Sequence, residues 1–162
     1  MSQDIVISHG VFKHKKDAED AQAIVYSIEN HREVLELLTK TSEGMRPYAT
    51  GTLEGHSRSA MTIRGHSLAA SAERNNFCSN GWTFVHLANT YKWHISRLSG
   101  NKWTLSDMTG KDIAIYKRES MRLRKYGVLR IMTNVDDDLR AVILLTCDIV
   151  RRNVVQSEQI AA

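Results

Sequence analysis

The sequence predicts an all-β domain with one helix, the helix lying at the C-terminal end and suited to the axis of a small barrel. Three observations predict it. Apolar and polar residues alternate with a period of two as far as residue 133, the pattern of half-buried antiparallel strands. Glycine and asparagine, with Pro47 the sole proline, punctuate the alternation at mostly short intervals, as hairpin turns do. Beyond residue 138 the period of two gives way to a stretch, Leu139 to Val150, whose apolar side chains cover nearly every helical direction. A helix apolar all round is a buried helix.

Strand candidates fall near 4–8, 11–13, 23–28, 34–39, 47–53, 59–64, 67–72, 82–87, 90–96, 102–107, 111–117 and 126–133. In the fourth, Val34, Leu35, Leu37 and Leu38 also fit a short helix; strand is preferred because its neighbours are strands. Met61 and Ile63 alternate with Thr62 and Arg64, and Leu68, Ala70 and Ala72 alternate with small polar residues. Tyr91, Trp93 and Ile95 share one face against Lys92, His94 and Ser96, and Trp103 and Leu105 share the next. Trp82, Trp93 and Trp103 thus read as core rather than as a stacking surface for a ligand. Asn80-Gly81, Ser99-Gly100-Asn101, Thr109-Gly110 and Gly127 read as the punctuation between segments, and Leu129 and Ile131 face inward in the last strand.

The helix is expected over about 138–152, followed by a short tail. Asp136, Asp137 and Asp138 suit its N-terminal turn, and Arg151 and Arg152 its C-terminal turn. Asp148, the one acid within that stretch, has those arginines three and four residues on, which reads as a structural ion pair. Ala141, Ile143, Leu145, Cys147 and Ile149 also alternate as a buried strand would, but the length favours a helix of about 18 Å.

At 162 residues the chain has the length of one domain, read here as 1–162. Hydrophobic residues at 42% and charged residues at 25% fit a globular chain rather than a disordered one. The longest apolar run, Ala141 to Leu145, is too short for a membrane-spanning helix, and the N-terminus lacks the pattern of a secretory signal. Cys78 and Cys147 sit beside apolar residues with no zinc spacing and read as buried, reduced thiols. The expectation is an intracellular, cytoplasmic protein, peripheral at most to a membrane.

The ordered set Trp82-Thr-Phe84, Tyr91-Lys-Trp93, Trp103-Thr-Leu-Ser-Asp107, Gly110-Lys-Asp-Ile-Ala-Ile-Tyr116, Gly127-Val-Leu-Arg-Ile131 and Asp138-Leu-Arg-Ala-Val-Ile-Leu-Leu-Thr146 resembles the C-terminal half of the tubby-like, LURP-one-related group. It is most similar to the small, largely uncharacterised fungal members. The resemblance covers roughly residues 61–155. It implies a closed antiparallel barrel of about twelve strands around a central hydrophobic C-terminal helix. For function it implies less: tubby proteins bind phosphoinositides and phospholipid scramblases share the fold. The phosphoinositide-binding residues of the tubby proteins do not align onto this chain, and the palmitoylation segment of the scramblases is absent.

The residues themselves point away from catalysis. His9, His14, His31, His56, His66, His86 and His94 are scattered without metal-ligand spacing, although His86 and His94 fall on opposed strands of one hairpin. Gly51-Thr-Leu-Glu-Gly55-His lacks the lysine and hydroxyl residue of a nucleotide loop, and no Gly-x-Ser-x-Gly elbow occurs. No enzyme, metal or cofactor is expected.

The net charge is +4, and its distribution is more informative. Lys117, Arg118, Arg122, Arg124 and Lys125 fall in what reads as a loop between two strands, with Met121 and Leu123 interleaved and Glu119 the lone acid. Basic and apolar side chains together suit an anionic membrane surface. These five residues are the candidate lipid- or anion-binding site. Two function classes stay open: a binding module for anionic phospholipid or phosphoinositide, and a protein-interaction or structural barrel with no small ligand. Nucleic acid is the weaker partner, because the basic residues are few and lack interleaved aromatics.

Overall fold

The computed structural model describes residues 3–8, 11–14, 24–55, 58–75, 81–96, 101–121 and 124–161. The alternating segments become β1 (Gln3–Ser8), β2 (Val11–His14), β3 (Ile24–His31), β4 (Val34–Thr41), β5 (Gly44–Glu54) and β6 (Ala60–Gly65). They continue as β7 (Ala69–Arg74), β8 (Trp82–His86), β9 (Asn89–Ile95), β10 (Lys102–Asp107), β11 (Asp112–Met121) and β12 (Arg124–Ile131). Each strand pairs antiparallel with the next in sequence, and β1 pairs with β12 to close the barrel. Closure removes the two free edge strands that an open sheet would have. The ambiguous segment at Val34 is a strand, as its neighbours required.

The helix α1 (Asp137–Ala161) fills the interior. Every residue from Ala141 to Val150 is buried, as the all-round apolar pattern demands. The helix touches β4, β5 and β8, and its Cys147 and Asp148 lie close enough to Tyr116 of β11 to bias that phenol. These strands are spread around the ring, so the helix occupies the axis. Ile5, Leu37, Ile63, Phe84, Leu105 and Leu129 point inward from successive parts of the wall and pack with it in one core. The outer wall carries Arg64, Ser71, Glu73, Lys92, His94 and Arg130, all exposed. That is the inverse of the apolar outward wall of a membrane barrel. Among the described residues no helix is long and apolar enough to cross a membrane.

Polar contacts seat the helix. Asp136 caps it, its Oδ1 accepting the Leu139 N–H at 2.7 Å. Asp138 accepts the Tyr48 hydroxyl at 2.7 Å and the Ser67 hydroxyl at 2.9 Å, which ties the N-terminal turn to β5 and to the β6–β7 turn. Halfway along, the Trp93 indole N–H donates to Thr146 Oγ1 at 2.9 Å, both groups being buried. Asp148, fully enclosed, accepts from Arg151 at 3.0 Å and Arg152 at 2.6 Å, the ion pair expected from the spacing. The barrel therefore has a helix-entry end, marked by the β4–β5, β6–β7, β8–β9 and β10–β11 turns, and a helix-exit end marked by the β11–β12 tip.

Four details differ from the sequence reading. The segment 117–125 is not a loop, because β11 runs to Met121 and β12 begins at Arg124. Apolar alternation ends at Tyr116, but backbone pairing needs no apolar side chain and continues to Met121 and Arg124. The helix runs past residue 152 to Ala161, since no glycine or proline follows Arg152 to end it. Gly127 punctuates nothing: it lies inside β12, and an added Cβ would collide with the ring and hydroxyl of Tyr116. His86 and His94 are not brought together, for His86 is buried inside the barrel and His94 is exposed on the outer wall. Cys147 is a buried free thiol, and Cys78 lies outside the described residues.

Candidate anion-binding surface

Trp103 and Tyr116 are the inward residues that set the geometry here. They are Cα partners across β10 and β11, and their rings stack at 4.3 Å. The residues beside them in the same register, Lys102 and Lys117, therefore point outward and face each other. Both are exposed, and no carboxylate pairs with either among the described residues. Like charges directly opposite on a sheet are unfavourable. Lys102 is the residue that the sequence reading missed. Its proximity to Lys117 comes from strand pairing, and the only hint in the chain is that each lysine adjoins a core aromatic.

Of the five basic residues of the sequence reading, Lys117, Arg118, Arg124 and Lys125 lie on β11 and β12, and Lys117 and Arg118 fall on opposite faces. In the β11–β12 register Arg118 is opposite Gly127, Ser120 opposite Lys125 and Met121 opposite Arg124. Position 118 thus belongs to the set that faces the interior lower in the barrel, and position 117 to the outward set. Arg118 is half-buried, and its N–H donates to the Asn101 carbonyl at 2.8 Å. Arg122 and Leu123 lie outside the described residues, and Arg124 and Lys125 are placed here by their backbone alone.

Burial is the main cause that pushes the Tyr116 phenol up, with Cys147 and Asp148 adding to it and Arg151 and Arg118 opposing. Burial likewise pushes the Cys147 thiol up, so the nucleophilic thiolate is suppressed. Asp148 is committed to its two arginines and Thr146 to Trp93. At the entry end His86 is buried with neither ring nitrogen bonded within the described structure. No group of three or more His, Cys, Asp or Glu side chains that could hold a metal occurs among the described residues.

No protein-family model, curated protein or solved structure matches this chain. The class is therefore defined by architecture: a closed twelve-strand antiparallel barrel with a single C-terminal helix.

Proposed function

We propose that this chain is a binding module rather than an enzyme, and that the outer wall at the helix-exit end meets anionic phospholipid, phosphoinositide head groups included, at an intracellular membrane surface. The observation that carries this reading is the exposed, in-register pair Lys102 and Lys117 at the base of a hairpin rich in basic residues. An unpaired like-charge pair costs stability unless an anion lies between its members. Near an anionic surface each basic residue contributes about 1 kcal/mol, so a few together give weak, reversible, salt-sensitive attachment. The commitment of Asp148, Thr146 and Cys147 to internal packing supports binding over catalysis. The twelve-strand barrel is also the architecture implied by the tubby-like, LURP-one-related resemblance, in keeping with a membrane-surface role.

The test is co-sedimentation with neutral, phosphatidylserine-containing and phosphoinositide-containing vesicles, comparing the parent protein with Lys102→Glu/Lys117→Glu. Binding to the anionic vesicles is expected, falling steeply with salt and lost on charge reversal. A parent protein that ignores every anionic vesicle, or a reversal that leaves binding intact, overturns the reading.

A further inference from the structure

The opposite end of the barrel has a different chemistry. Leu87 is 72% exposed and Met108 78% exposed, and both sit on hairpin turns where a polar residue is the ordinary choice. The topology makes them neighbours. Leu87 lies in the β8–β9 turn and Met108 in the β10–β11 turn, and β9 pairs with β10 through Tyr91 and Asp107 at that end. Met132, 36% exposed, adjoins the same arc, its N–H donating to the Ile113 carbonyl of β11 at 2.8 Å. Val85 is exposed just above Leu87 on the outer face of β8.

The Leu87–Ala88 turn holds both residues in the left-handed region, with φ of 48° and 62°. Hairpin turns of this kind favour Asn-Gly, because a Cβ crowds the following carbonyl there, a penalty that glycine escapes and that asparagine offsets with local hydrogen bonds. Leucine at this tip thus opposes the preference of the backbone as well as that of the solvent. Such outliers cluster at binding sites.

Between the apolar tips the charge is acidic. Asp107, Asp112, Asp136 and Asp137 outnumber Lys92, Lys111 and Arg140 on this arc, and Arg140 is taken up by Asp137 at 2.8 Å. The Asp107 carboxyl is held below its ordinary range, first by the Thr109 hydroxyl and then by the N–H groups of Lys111 and Thr109, so it stays ionised. Tyr91 feels both Asp107 and Asp136, which brackets the arc from the β10–β11 turn to the helix entry. An anionic membrane would be repelled by these carboxylates. A cationic surface with an apolar face would meet complementary charge and complementary side chains together.

We infer that the helix-entry rim, with Leu87, Met108 and Met132 as apolar anchors among Asp107, Asp112 and Asp136, is a docking surface for a basic amphipathic segment of another protein. The site lies at the other end of the barrel from Lys102 and Lys117 and is independent of the lipid reading. Basic amphipathic helices bind by laying an apolar stripe into such a surface, and methionine suits it because its flexible side chain adapts to the partner.

The test uses the full chain labelled at its methionine methyl groups and two synthetic amphipathic helical peptides, one of leucine and lysine and one of leucine and glutamate. The Met108 and Met132 methyl resonances should shift with the lysine peptide and not with the glutamate peptide, and the core Met61 resonance should hold still. Leu87→Asn/Ala88→Gly installs a turn that the backbone prefers and so keeps the fold. Combined with Met108→Gln it should weaken the lysine peptide at least about tenfold, as loss of anchor residues does. Lys102→Glu/Lys117→Glu should leave peptide affinity unchanged. Equal shifts with both peptides, no shift with either, or unaltered affinity in the turn variant would overturn the proposal. Sedimentation of the protein alone supplies the last arm: a concentration-dependent dimer that shifts the same methyl groups makes the occupant a second copy and also overturns it.

Discussion

Thr146→Val is the most informative single change, because it asks whether the helix sits in the barrel with the rotation and depth described. Valine has nearly the shape of threonine, so packing is preserved and only the hydroxyl goes. That oxygen accepts the Trp93 indole N–H at 2.9 Å and is itself directed at the Val142 and Ile143 carbonyls, at 2.8 and 3.2 Å. The two carbonyls keep their bonds within the helix. The indole N–H does not: Trp93 is fully enclosed, and nothing else replaces its acceptor. An orphaned buried donor costs about 1–3 kcal/mol, and burying an added methyl in place of the hydroxyl returns about 0.8 kcal/mol. The net expectation is a loss of about 0.2–2 kcal/mol, or up to about 8 °C in Tm for a domain of this size. Urea denaturation followed by tryptophan fluorescence measures the energy, and the Trp93 indole proton resonance reports the lost bond. Thr146→Ser retains the hydroxyl and should retain that resonance. A neutral or stabilised Thr146→Val with an unmoved indole proton would mean that this face of the helix does not lie against β9.

Gly127→Ala should cost at least about 2 kcal/mol in chemical denaturation, because the new methyl runs into the Tyr116 ring, which is held against Trp103; Tyr116→Leu in the same chain should recover part of the loss, and a fully stable Gly127→Ala single variant would refute the close approach. Alkaline stability should fall above about pH 10, the ordinary tyrosine value. Burial first raises the Tyr48 and Tyr116 phenols, with Asp138 adding at Tyr48 and Cys147 at Tyr116, so the folded chain keeps protons that the unfolded chain releases. Stability is thus full below about pH 10 and declines as pH rises, and tyrosinate absorbance from these residues should appear together with unfolding. Smooth ionisation of both in a chain still folded by circular dichroism would contradict it.

What the sequence determined by itself is what short-range physics controls. The side-chain period along a strand is local, so Trp93, Trp103, Leu105 and Leu129 declared their inward faces before any partner strand was known. The helix declared its burial through the all-round apolar stretch Ala141 to Val150, and the Asp148 pairing through spacings of three and four residues. The tertiary structure decided everything that depends on which strand lies beside which. Lys102 meets Lys117 only because β10 pairs with β11 in one register, and Arg118 leaves the outward set because it follows Lys117 on the same strand. His86 and His94 separate because a strand sends successive side chains to opposite faces and the barrel gives one face an interior. Leu87, Met108 and Met132 are unremarked turn and linker residues in the chain. They share one acidic rim because ring closure gathers alternate hairpins at the same end, and no local periodicity records that.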